Sequence, residues 1–81
     1  METREKIRNF ITTNFYVADP ALLTDDASLL DRGIVDSTGV LEVIGFLETE
    51  FGVQVDDGEI VPENLDSVGR IVAFLKRKKG A

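Results

Sequence analysis

Between residues 33 and 39 the chain reads Gly33-Ile34-Val35-Asp36-Ser37-Thr38-Gly39, a carboxylate and a hydroxyl side by side between two glycines. A hydrolase nucleophile on a strand-to-helix elbow needs glycine two residues before the serine, where Val35 stands, and a proton-accepting partner. The chain has no histidine to act as that partner. An aspartic protease motif would place the aspartate one residue nearer the glycine and would require a second copy, and the chain has neither. A serine that another enzyme modifies needs no base of its own. It needs only an exposed hydroxyl on a rigid helix end, where free N–H groups can orient an attached phosphate. Asp and Ser are also ordinary helix caps. The setting favours modification: a long apolar loop precedes the pair, and a helix with an acidic exposed face follows it.

The remaining chemistry is sparse. Asp56-Asp57-Gly58-Glu59 lacks the ligand spacing and the sixth-position glycine of an EF-hand loop, and no metal site is expected. With no Cys there is neither a disulfide framework nor a thiolate zinc site. Most self-contained enzyme chemistries are thereby excluded, and the chain is read as a non-enzyme.

Of 81 residues, 28 are Leu, Ile, Val or Phe, enough for one small folded domain spanning residues 1–81. The net charge of −6 hides a segregation: residues 17–68 hold 13 acidic residues and a single basic one, Arg32. Such a surface repels nucleic acid and anionic lipid and attracts basic proteins. The basic run Lys76-Arg77-Lys78-Lys79 reads as a solvated tail that complements a helix dipole. No apolar run is long enough for a signal peptide or a membrane span, which predicts a cytoplasmic protein.

The elements that must position Ser37 follow from helical spacing. Ile7, Phe10, Ile11 and Phe15 mark one face of a helix over residues 3–16, broken at Asp19-Pro20. A packed loop of about fifteen residues follows, with Leu22, Leu23, Leu29, Leu30, Ile34 and Val35 to bury. Asp36 or Ser37 caps a second helix that runs to Phe51, and Gly52 stops it. Its core face is Val40, Val43, Ile44, Leu47 and Phe51. Thr38, Glu42, Gly45 and Thr49 lie opposite, with Leu41, Phe46 and Glu48 on the flanks. Gly52 to Val55 is an extended connection and Asp56-Asp57-Gly58 a turn. Pro62 to Leu65 forms one short helical turn. Asp66 or Ser67 caps a last helix with Val68, Ile71, Val72 and Leu75 inside and Phe74 beside them. The prediction is an all-α bundle of three longer helices and one short third helix, with a long packed loop between helices one and two.

These stretches together resemble the phosphopantetheine-dependent carrier proteins, a family that includes acyl carrier proteins, peptidyl carrier domains and D-alanyl carrier proteins. The likeness runs from the Phe10-Ile11 helix to Val72-Ala73-Phe74-Leu75. It rests on Gly33-Ile34-Val35-Asp36-Ser37, on Leu41 to Ile44 with Leu47 to Val53, and on Ile60 to Val68. The resemblance implies a 4′-phosphopantetheine arm on Ser37, donated from coenzyme A by a phosphopantetheinyl transferase, whose thiol carries acyl groups as thioesters. It implies that Asp36 assists transferase recognition. It further implies that Thr38, Leu41, Glu42, Gly45 and Glu48 dock partner enzymes with basic patches, such as acyltransferases or synthases, and that Leu65 touches the arm. The protein is expected to act as a monomer.

Two positions depart from the family pattern. Thr38 stands where leucine is usual, and Gly39 where fatty-acid carriers often have an acidic residue. The Asp-Ser-x-Gly pattern is similar to D-alanyl and aminoacyl carriers, which predicts a discrete acyl or aminoacyl carrier loaded by an AMP-forming ligase. The alternatives are a fatty-acid or polyketide synthase carrier, and an unmodified acidic interaction module in which Ser37 is only a cap. Nothing in the last requires glycine, two apolar residues and Asp-Ser in that order.

Overall fold

Helical periodicity becomes helix at each expected place. In the computed structural model, which describes residues 2–17, 19, 21 and 23–79, the elements are α1 (Glu2–Asn14), α2 (Ser37–Phe51), α3 (Pro62–Leu65) and α4 (Val68–Lys78). A short 3-10 turn spans Asp57–Glu59, and no strand forms among the described residues. The all-α architecture with a short third helix is as expected. Pro20 and Leu22, read above as a helix breaker and a loop residue to bury, lie outside the described residues.

Ile7 and Ile11 turn the buried face of α1 inward, with Phe10 and Phe15 half-buried beside them. The helix ends at Asn14, two residues earlier than the spacing predicts. The Asn14 side-chain amide donates to the Phe10 carbonyl at 2.9 Å, a local bond of the kind that competes with further helical turns. α4 packs against both α1 and α3, so its apolar stripe is wider than a one-sided contact requires. Phe74, expected beside the core, is therefore as buried as Ile71 and Leu75.

In α2 the residues Val43, Ile44 and Leu47 are buried, and Val40 and Phe51 half-buried. Gly52 ends the helix with φ 68° and donates its N–H to the Glu48 carbonyl. Aromatic rings bridge α1 and α2. Phe10 stacks on Phe46 with centroids 4.2 Å apart, and it meets Phe15 edge to face at 6.1 Å. Phe46 meets Phe51 at 5.9 Å. Phe46, placed on a flank by the helical wheel, is thus the middle of a ring ladder. Offset and edge-on pairs of this kind add stability beyond the area they bury.

The long loop packs as expected, with Leu23, Ala27, Leu29 and Val35 buried. Its anchor is Asp66, just past α3. The Asp66 carboxylate accepts the Ser28 hydroxyl at 2.6 Å and the Leu30 N–H at 3.0 Å, and its carbonyl accepts the Leu29 N–H at 2.7 Å. With its backbone held there, Leu30 stays 41% exposed, contrary to the expectation that it would be buried. Of the two candidate caps for α4, Ser67 does the work: its Oγ accepts the Arg70 N–H at 3.1 Å. Replacing Asp66 by alanine removes two bonds to a charged acceptor and should cost on the order of 2 kcal/mol. Urea unfolding with an unchanged midpoint would exclude this anchor.

The basic end of α4 is more engaged than a solvated tail. Arg77 donates to Asn64 Oδ1 at 2.6 Å, Lys78 to Glu59 Oε1 at 2.8 Å, and Lys79 to the Phe51 carbonyl at 3.0 Å. The last turn of α4 lies beside the 3-10 turn and the end of α2, where cations meet a carboxylate and unpaired carbonyls. Lys76, Arg77 and Lys79 are exposed as expected, and Lys78 is half-buried. The hydrogen bond from Lys78, with a second from the Asp56 N–H, holds Glu59 below the ordinary glutamate value of 4.5. The same bond raises Lys78 above 10.5. A lowered acid contributes stability above its unfolded value and loses it as pH falls through the folded value. A raised base contributes below its unfolded value and loses it on further rise. The pair therefore stabilises between about pH 4.5 and 10.5. The Tm gap between wild type and Lys78→Met should narrow when thermal melts move from neutral pH to below 4.5, and a constant gap would show that the pair contributes nothing.

Candidate functional site

The segment from Leu29 to Val40 turns the chain from loop into helix. The Gly33 N–H donates to the Leu30 carbonyl at 3.0 Å, and the N–H groups of Ile34 and Val35 share the Leu29 carbonyl at 3.0 and 3.2 Å. Gly33 sits at φ 69°, a left-handed conformation that strains residues with a β-carbon. The turn buries Val35 and leads Asp36 out in an extended conformation at the head of α2.

Asp36 is the cap. Its Oδ1 accepts the Gly39 N–H at 2.6 Å, and its carbonyl accepts the Val40 N–H at 3.0 Å. Ser37, the other candidate cap, is instead the first residue of the helix. It is exposed, and its hydroxyl makes no hydrogen bond among the described residues. The N–H groups of Ser37 and Thr38 are likewise left without an intrahelical acceptor, as at any helix start. The result is an uncommitted hydroxyl on a rigid helix end.

Ser37 also lines an open cleft of about 210 Å³. Leu29, Leu30 and Val35 wall it from the loop, Val40 from α2, Ile60 and Val61 from the segment before α3, and Leu65 from α3. The polar member opposite is Asp66, whose carboxylate is already bound to Ser28 and Leu30. The structure thus brings Ser37 and Leu65 to one cavity. Ile60 and Val61 escaped sequence reasoning, because two apolar residues before a proline fit no helical or alternating pattern. Leu30 was assigned to the core.

On the outer side of α2, Thr38, Leu41, Glu42 and Gly45 form one exposed strip at helical spacing, and Leu41 is 63% exposed. Glu48 stands apart from that strip. It is half-buried, and its Oε2 accepts the Val55 N–H at 3.0 Å, so its carboxylate fastens the chain that follows α2. Glu50 pairs with Lys6 at 3.0 Å. The acidic charge on this strip is therefore Glu42.

Gly39 differs most from its reading as a missing acidic contact. It is buried, and a β-carbon at this position would lie 2.7 Å from Phe15 Cε1 and 3.2 Å from Asp36 Oδ1. A larger residue here would have to displace the Phe15 ring. Among the described residues no cluster of acidic side chains could hold a metal ion, and no helix is long and apolar enough to cross a membrane.

A family model described as the phosphopantetheine attachment site matches residues 5–75, nearly the whole chain. The chain belongs to this family. It is 33% identical over 79 residues to an acyl carrier protein of Thermotoga maritima, covering 98% of this chain and 94% of that protein. It is 31% identical over 80 residues to an acyl carrier protein of Solidesulfovibrio magneticus, covering 99% of each. It is 32% identical over 74 residues to the probable acyl carrier protein PigG of a Serratia strain, covering 91% of this chain and 85% of that protein. The protein is a carrier, and its prosthetic group is 4′-phosphopantetheine. An uncommitted hydroxyl beside free helix N–H groups and an apolar cleft fits a phosphate-linked organic arm in chemistry and in space.

The carrier's cap and its serine separate cleanly by mutation. Asp36→Ala should lower stability by about 1 kcal/mol through loss of the cap, while Ser37→Ala should stay within about 0.5 kcal/mol of wild type. Equal losses in chemical denaturation would mean that Ser37 has a structural bond this geometry lacks.

Proposed function

We propose that Ser37 is the attachment serine and that the protein is a non-catalytic acyl carrier of the cytoplasm, loaded by an AMP-forming ligase. The observation that carries the assignment is the exposed Ser37 hydroxyl, free of the capping role that Asp36 fills, at the mouth of an apolar cleft. In the transfer reaction the Ser37 oxygen forms a new bond to the phosphorus that bears the pantetheine arm of coenzyme A. The diphosphate bond breaks, 3′,5′-adenosine diphosphate leaves, and the hydroxyl proton passes to a base of the transferase. This chain has no histidine to take it. Asp36 stands next to the reacting oxygen and offers the transferase a carboxylate whose position the Gly39 N–H fixes.

When bound, the arm supplies the thiol that this cysteine-free chain lacks and holds the cargo as a thioester. The chain's own residues then act by placement. Leu65, Val40 and Ile60 present an apolar wall beside Ser37, which favours a cargo with an apolar acyl part over a charged aminoacyl group. The strip of Thr38, Leu41, Glu42 and Gly45 serves as the docking face for partner enzymes. Leu41 is its apolar knob, in place of the leucine that the family usually carries one residue after the serine. The Asp-Ser-x-Gly pattern supports the ligase reading, and the relatives' description as acyl carrier proteins supports an acyl over an aminoacyl cargo, with a fatty-acid or polyketide synthase carrier as the second reading.

Incubation with coenzyme A, magnesium and a broad-range phosphopantetheinyl transferase should add one phosphopantetheine to the wild type, seen as intact mass and located on the peptide containing Ser37. Ser37→Ala should gain none. Addition to that variant, or none to the wild type, would overturn the assignment.

A further inference from the structure

The ring of Phe15 lies over the first turn of α2. Gly39 is buried beneath it, and an added β-carbon there would come within 2.7 Å of Phe15 Cε1 and 3.4 Å of Cζ. That separation is below any real carbon contact, so only glycine allows the helix to approach the ring this closely. Nor can the ring easily swing away. It meets Phe10 edge to face, with planes 73° apart, and Phe10 is itself stacked on Phe46 at 4.2 Å. The backbone of Phe15 is held too, its N–H bonded to the Ile11 carbonyl at 2.9 Å. The end of α1 is thereby a fixed stop against which the head of α2 rests.

What rests on that stop is the group that orients Asp36. The Gly39 N–H donates to Asp36 Oδ1 at 2.6 Å, and the same carboxylate oxygen would lie 3.2 Å from a β-carbon at residue 39. Residue 39 is therefore confined between a ring on one side and a carboxylate on the other. Any movement of its backbone moves the Asp36 side chain and, one residue on, the hydroxyl of Ser37.

We propose that Phe15 is a positioning residue for modification of Ser37, acting through the close packing of its ring on Gly39 to set the Asp36 carboxylate and the Ser37 hydroxyl. The proposal rests on Ser37 being the attachment serine. It gives Gly39 a cause within this chain: the glycine and the phenylalanine are two halves of one contact.

The test is a double-mutant cycle on the purified full chain, with initial rates of phosphopantetheine transfer from coenzyme A measured over a range of carrier concentrations. Thermal melts establish first that each variant is folded at the assay temperature. Gly39→Ala adds a methyl group where the ring stands and should lower kcat/KM about tenfold or more, since small displacements of a reacting group have effects of that size. Part of the loss should lie in kcat, because the hydroxyl stays misplaced after the transferase has bound. Phe15→Ala should show a smaller loss. In the double variant the new methyl group occupies space the ring has vacated, and kcat/KM should recover to within about threefold of wild type, a coupling expected only of residues in contact. A merely structural defect would add in the double variant, and it would not return kcat.

A wild type modified at Ser37, together with a Gly39→Ala variant of unchanged kcat/KM, would overturn the positioning role and leave the attachment site standing. Losses that multiply in the double variant would do the same. A wild type whose Ser37 peptide gains no mass overturns the attachment site itself, and the proposal falls with it. As a readout independent of the transferase, the Gly39 amide proton should resonate well downfield in wild type, as expected of so short a bond to a carboxylate, and shift upfield in Gly39→Ala.

Discussion

The bonds that converge on Asp66 join the two irregular parts of the chain, and the carrier's cleft depends on that junction. One side of the cleft comes from the long loop between α1 and α2, the other from the segment around α3. Neither has a regular ladder of its own to hold it. Asp66 lies between the end of α3 and Ser67, the cap of α4, and its carboxylate and carbonyl together hold Ser28, Leu29 and Leu30. A half-buried carboxylate with a donor on each oxygen is well satisfied, which is the condition under which a polar group in such a place stabilises. It also explains why a small domain can keep an open apolar cleft. The loop is fastened by directed bonds at its middle as well as by apolar burial, so one wall can remain partly exposed without coming loose.

The same economy appears at the head of α2. Asp36 is both the helix cap and the residue next to Ser37, and using the aspartate for capping leaves the serine uncommitted. Had Ser37 been the cap, its oxygen would have been engaged as an acceptor within the helix start. The order Asp-Ser, with the acid first, therefore has a mechanical reason.

Much of the fold was legible because it is written in helical spacing. The apolar positions of α1, α2 and α4, the stop at Gly52 and the start at Pro62 locate the helices to within two residues. Ser37 stood out as the candidate because, in a chain without histidine or cysteine, modification by another enzyme was the chemistry left to it. What escaped was contact between distant segments. Nothing in the neighbours of Asp66 marks it as a loop anchor rather than a cap, and nothing local to Gly39 reveals that a ring twenty-four residues earlier occupies its side-chain space. Glu48 reads from the sequence as a flank residue of α2, and nothing there reveals that its carboxylate accepts the Val55 N–H. Likewise the basic end of α4 shows its charge in the sequence but not its partners.

That basic end lies at the far end of α2 from Ser37, since Lys79 is bonded to the carbonyl of Phe51, the helix's last residue. A helix of fifteen residues separates the two points by roughly 22 Å. The cations of residues 76 to 79 therefore neutralise part of the acidic middle of the chain, Glu59 through Lys78, at the end away from Ser37. Attraction between the acidic surface that remains and a basic body acts through solvent, and it fades as salt shortens the Debye length.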